Sequence, residues 1–200
     1  GRAGELAGII ACDRPPGKHC ARGMLVPYSG SRRTLAGGMA VAKQPTRTNA
    51  MRLLDREGIA YTVHIFPDAI RSAQDVAEAV GIPAERVFKT LVTVTDDNET
   101  VLAMLPGDAE LDLKALARAA DAKRCHMASH RDAERITGLQ VGGISPLALT
   151  QRGWQVFLDA SALAQERVLV SAGKRGINLE LRVDDLVRIT GAVVTELVRG

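Results

Sequence analysis

Val141-Gly142-Gly143-Ile144-Ser145-Pro146-Leu147 is the stretch on which the reading of this chain turns. Two adjacent glycines, a small hydroxyl residue and a proline suit neither a helix interior nor a central strand. They suit a rigid, tightly turned loop. Glycine reaches positive φ and lets another group come close to the backbone. Pro146 fixes its own φ and holds Ser145 extended. Such a loop has two uses: it is a structural turn, or it presents bare backbone N–H groups to an anion or a developing negative charge.

Two further elements flank it in the chain. Towards the C-terminus, Val170-Ser171-Ala172-Gly173-Lys174-Arg175-Gly176-Ile177-Asn178 places two adjacent cations between glycines. It is not a nucleotide-binding P-loop: no glycine stands five positions before Gly173, and Arg175 occupies the Ser/Thr slot after Lys174. It reads as a loop that meets a phosphodiester or a carboxylate, or as a solvated basic turn. Towards the N-terminus, Arg86-Val87-Phe88-Lys89-Thr90-Leu91-Val92-Thr93-Val94 is β-branched and apolar, which predicts a buried strand from about Val87. Lys89 lies at its start, either snorkelling to water or held at the rim of a cleft.

In this order, Phe88-Lys89-Thr90-Leu91, Thr137-Gly138, Val141 to Leu147 and Ser171 to Gly176 resemble the signature of the YbaK/EbsC family of aminoacyl-tRNA deacylases. Those proteins are relatives of the editing domain inserted in bacterial prolyl-tRNA synthetases (the prolyl-tRNA synthetase-associated domain). The likeness spans residues 46 to 198 and includes the order of helices and strands between the motifs. It implies an α+β fold, a mixed barrel-like β-sheet flanked by helices, with the three elements meeting at one mouth. It implies a trans-editing hydrolase that deacylates mischarged aminoacyl-tRNA, Cys-tRNA(Pro) or a tRNA charged with another small amino acid. The implied partners are the 3′ end of aminoacyl-tRNA and prolyl-tRNA synthetase, in the cytoplasm, with no cofactor, no metal, no membrane and no DNA. The alternatives are a non-catalytic module that binds the tRNA acceptor end or a synthetase, and a pocket for a nucleotide-like small molecule.

The resemblance also assigns roles. Lys89 places positive charge near the ester or the terminal ribose-phosphate. Gly142, Gly143 and Ile144 offer N–H groups to the carbonyl or the terminal adenosine, and Ser145 offers a hydroxyl for orientation. Gly173 and Gly176 let their loop approach that adenosine. Arg175 binds phosphate or anchors the loop internally. Phe66 stands where many members have Tyr, and Asn178 where many have Asp. Both departures bear on selectivity for cysteine. No Ser–His–carboxylate set and no G-x-S-x-G elbow is present. That agrees with chemistry in which the substrate thiol attacks its own ester, or in which water does so for other amino acids.

Composition narrows the rest. The chain has 200 residues but only six aromatic ones, so aliphatic packing dominates and a base-stacking platform is disfavoured. Residues 1–38 hold six basic and two acidic residues, against twenty and twenty-one in the remainder, so the net charge of +3 comes from the N-terminal stretch. Any nucleic-acid contact by the rest is therefore a local patch. Residues 1–45 read as a disordered extension, with 46–200 as the deacylase domain. Gly1 is not a natural start, whereas Met39 sits where relatives begin, so residues 1–38 read as an upstream extension or as a basic arm for tRNA. Three cysteines without a framework fit a reducing compartment. Cys125 and His126 point to opposite faces of a strand and do not converge, which leaves Cys125 a buried, inert thiol.

Caps and periodicity predict helices over 48–57, 72–80, 113–120, 129–138 and 184–189. They predict strands over 61–66, 87–94, 101–105, 123–127, 155–158, 167–170 and 179–181, and an edge strand over 192–194.

Overall fold

The computed structural model describes residues 9–12, 47–70 and 72–199. The expected disordered extension over 1–45 lies outside the described residues except for Ile9–Cys12. Those four residues form a strand, β1.

The helices begin where short polar side chains satisfy the first free N–H groups. Thr48 accepts from the N–H of Met51 at the start of α1 (Asn49–Arg56), and Ser72 accepts from Asp75 at the start of α2 (Ala73–Val80). Asp112 opens α3 (Leu113–Ala119) and Ser129 opens α4 (His130–Thr137) in the same way. The N–H groups of Ala115 and Lys114 hold the Asp112 carboxyl below its ordinary range. Gly81, Gly138 and Gly191 end α2, α4 and α6 (Val183–Thr190) in the left-handed conformation.

The strands make two sheets, where the sequence led us to expect one barrel-like sheet, and neither closes. The first is antiparallel: β1, then β2 (Tyr61–Ile65), β8 (Ile177–Arg182) and β7 (Arg167–Lys174). The second runs β5 (Cys125–Met127), β3 (Phe88–Thr95), β4 (Thr100–Pro106), β6 (Gln155–Asp159) and β9 (Val193–Thr195). It is antiparallel as far as β4 and parallel from β4 through β6 to β9. A parallel bridge between Val87 and Leu169 links the two sheets.

The main core lies between the sheets. Val63, Val170 and Leu179 from the first meet Val92, Leu102 and Leu158 from the second, with Leu54 of α1 and Leu186 of α6 beside them. β4 is buried on both faces: Val101, Ala103 and Leu105 pack with Leu116 and Phe157 in a second cluster. This is why it reads as an unbroken apolar run. A third cluster sets Val76, Ala77 and Val80 of α2 on Phe66, Val87 and Leu169. Cys125 is buried and His126 is exposed, as their alternation predicts. Burial, and then the nearby charge of Asp96, push the Cys125 thiol up.

The first sheet also carries an internal charge cluster. Glu180 on β8 accepts from Arg86 at 2.5 Å and meets His64 Nε2 at 3.1 Å, with Arg167 at 3.9 Å. Arg86 also donates to the carbonyl of Arg167. Removing one member leaves the others without their counter-charge in a mostly buried setting. Glu180→Gln is expected to cost about 3 kcal/mol of stability, read as the shift in a urea unfolding curve.

Candidate active site

A cavity of about 460 Å³ opens between the start of β3, the first turn of α2, the segment after β4, the 141–144 loop and the β7–β8 hairpin. Four of the residues expected at the site line it: Lys89, Gly142, Ile144 and Asn178. Thr90, Ser171 and Asp108 line it as well.

Lys89 arrives on β3 one residue after Phe88, which is turned into the core. Its ammonium donates to the carbonyls of Gly107 (3.0 Å) and Ala109 (2.6 Å). Of the three donors an ammonium has, one remains for the cavity. Gly107 is pinned further because its N–H donates to Val87 O. A Cβ there would lie 1.8 Å from the Cβ of Ala73 in α2. Desolvation lowers the Lys89 pKa from its ordinary 10.5, and the charges of Asp108 and Glu110 partly restore it.

The 141–145 loop is held from behind. Gly142 turns at φ 88°, and the N–H of Gly143 donates to Gln140 O at 2.8 Å. The N–H of Gly143 is therefore spent inside the turn, contrary to the expectation that it faces substrate. Those of Gly142 and Ile144 donate to no acceptor among the described residues. A Cβ on Gly143 would come within 2.8 Å of Arg175 N and 2.9 Å of Lys174 C, so the loop lies directly on the hairpin backbone. Arg175 Nε donates to Val141 O at 2.6 Å. Glu134 of α4 accepts the Val141 N–H at 2.9 Å and lies 3.8 Å from the Arg175 guanidinium. Of the two roles left open for Arg175, these contacts are those of the internal anchor.

Gly173 and Gly176 belong to the β7–β8 hairpin, at φ 89° and 73°. What was expected as a free loop is therefore a hairpin tip with a register shift between Ser171 and Lys174. A Cβ on Gly173 would reach 2.9 Å from Ala148, and one on Gly176 would reach 2.7 Å from the carbonyl of Phe66. Phe66 is buried under α2, outside the cavity lining. Ser145 is fully enclosed, with its hydroxyl unpartnered among the described residues, and is outside the lining too. It ends the loop, and Pro146 occupies the first turn of a short helix, α5 (Pro146–Leu149), where a proline's missing N–H costs nothing.

Sequence reasoning missed several lining residues. Ser171 pairs with Asn178 across β7 and β8, so the two share a face. Extending β7 past Val170 would have shown it. The Ser171 and Thr90 hydroxyls are buried without a hydrogen-bond partner among the described residues. Buried polar atoms in native proteins are nearly always satisfied, so these two mark a place for a polar ligand. Asp108 carried no signal beyond that of a turn residue after an apolar strand. A second depression, about 310 Å³, lies beside α1 and α5 and contains none of the expected site residues.

The two-sheet fold and this cavity can be set beside known proteins. Residues 67–189 match the family model described as the aminoacyl-tRNA editing domain, and the chain belongs to that family. EbsC of Enterococcus faecalis, a candidate Cys-tRNA(Pro)/Cys-tRNA(Cys) deacylase, is 37% identical over 161 residues, covering 80% of this chain and 98% of that protein. The proline–tRNA ligase of Lactobacillus helveticus is 27% identical over 128 residues, 60% of this chain but only 22% of the ligase. A crystal structure described as a candidate trans-editing enzyme for prolyl-tRNA synthetase shares the fold, with TM-score 0.66 and 24% identity over 76% of this chain and 96% of that one.

Two outcomes test this geometry. Gly143→Ala forces backbone apart from backbone and is expected to cost about 1–3 kcal/mol in denaturant unfolding. The Lys89 midpoint, followed by NMR of its ε-carbon, should fall below 10.5. Between that midpoint and 10.5 the unfolded chain holds more protons than the native one, so stability rises with pH across the window. Lys89→Met should remove that rise.

Proposed function

We propose that this protein is a trans-editing aminoacyl-tRNA deacylase that takes the charged 3′ end of a mischarged tRNA into the Lys89 cavity and cleaves its ester. The observation that carries this reading is the convergence of Lys89, the Gly142–Ile144 backbone, Ser171 and Asn178 on one cavity in a chain of the editing family. The preferred substrates are Cys-tRNA(Pro) and tRNAs carrying other small amino acids, and prolyl-tRNA synthetase is the expected partner. Such work belongs in the cytoplasm. No helix among the described residues is long and apolar enough to cross a membrane.

An aminoacyl ester is already activated, so the protein needs geometry and charge more than a nucleophile of its own. With cysteine, the substrate thiol gives up its proton and attacks the ester carbonyl. The tetrahedral intermediate collapses, the ribose oxygen leaves with a proton, and uncharged tRNA and a cyclic thioester are released. With other small amino acids, water takes the place of the thiol and the free amino acid leaves. The remaining Lys89 donor and the unspent N–H groups of Gly142 and Ile144 face the oxygen on which charge develops. The Thr90 and Ser171 hydroxyls and the Asn178 amide orient the ribose and the amino acid. Gly143, Gly173, Gly176 and Arg175 serve by holding loop and hairpin together.

Incubation with labelled Cys-, Ala- and Pro-charged tRNA tests the reading. Release of one amino acid names the substrate. Retention of every ester alongside salt-sensitive tRNA binding would replace the enzyme with a binding module. Lys89→Ala should lower deacylation at least about tenfold, or about 1.4 kcal/mol of barrier. Undiminished turnover by a folded variant would remove Lys89 from the mechanism.

A further inference from the structure

The cavity is lined by one cation and one anion, Lys89 and Asp108. The two are held relative to one another. Lys89 donates to the carbonyls of Gly107 and Ala109, the residues on either side of Asp108. The Gly107 N–H is tied to Val87, and its α-carbon side is closed by Ala73. The segment that carries Asp108 is thus fixed at both flanks. The Asp108 carboxylate itself takes part in no hydrogen bond or ion pair among the described residues. It is exposed at the cavity, and its charge is felt at the Lys89 ammonium.

Resting on the deacylase reading, we infer that Asp108 is a specificity-determining residue that binds the free α-ammonium of the aminoacyl group. An aminoacyl ester presents an ammonium one carbon from the carbonyl under attack. Lys89 supplies the charge for the oxygen side of that group, and a carboxylate beside it supplies the complementary charge for the nitrogen side. Asn178 lines the cavity as a neutral amide, so no other lining residue offers an anion. The pairing distinguishes a free aminoacyl end from one whose nitrogen is acylated, as in a peptidyl or formylated terminus, and keeps such tRNAs from being stripped.

The test compares tRNA charged with cysteine or alanine with the same tRNAs after N-acetylation, using the full chain and its Asp108→Asn variant. For wild type, kcat/KM on the free-amine substrates should exceed that on the acetylated ones at least about tenfold. In Asp108→Asn that ratio should fall towards one because the free-amine substrates are slowed, mainly through KM, and Asp108→Glu should restore part of it. Equal wild-type rates on both forms, an undiminished preference in Asp108→Asn, or equal slowing of both forms by that variant would each overturn the inference while leaving the deacylase standing. No release from any substrate by wild type would overturn both.

Discussion

The site depends on one contact in which two backbones meet without a side chain between them. Gly143 lies against the peptide joining Lys174 and Arg175, at a separation that leaves no room for a Cβ. The Arg175 guanidinium then reaches back to Val141 O, and Glu134 holds the other side of the same peptide. The loop is thereby fixed to a hairpin that is itself part of a sheet. Gly142 and Ile144 are brought over the face of that sheet carrying Asn178 and Ser171. Preorganisation of this kind is what an electrostatic site needs, because donors already in place do not have to reorganise as charge develops.

The opposite wall obeys a similar logic with charge in place of backbone packing. Lys89 gives two hydrogen bonds to the segment after β4, and its burial lowers its affinity for a proton. Its ammonium therefore shapes the wall as well as charging it. A cavity with one fixed cation, one fixed anion and unpartnered hydroxyls is suited to a small zwitterion-like group on a polar carrier. In the proposed reaction, that group is the aminoacyl end of a tRNA. The absence of a Ser–His–carboxylate set follows from the substrate, whose ester is reactive enough for orientation and charge to be sufficient.

Much of this was legible in the sequence wherever neighbours along the chain decide the outcome. Thr48, Ser72, Asp112 and Ser129 cap helices because each side chain reaches an N–H two or three residues ahead. Gly81, Gly138 and Gly191 end helices because a left-handed residue is needed there. The apolar runs became β3 and β4, and the motif resemblance placed Lys89, Gly142, Ile144 and Asn178 at one cavity.

Other features depended on segments far apart in the chain, and only the tertiary structure decided them. That the N–H of Gly143 is spent on Gln140, that Ser145 is enclosed and that Phe66 lies beneath α2 follow from how whole elements stack. The same holds for Arg175 as an anchor to Val141 and Glu134, and for two sheets joined at Val87 and Leu169 in place of a barrel. Sequence determines a hydrogen bond when both partners lie within a turn of each other. When loop, hairpin and helix must converge, the choice among partners is made by packing of the shared core, which no local pattern encodes.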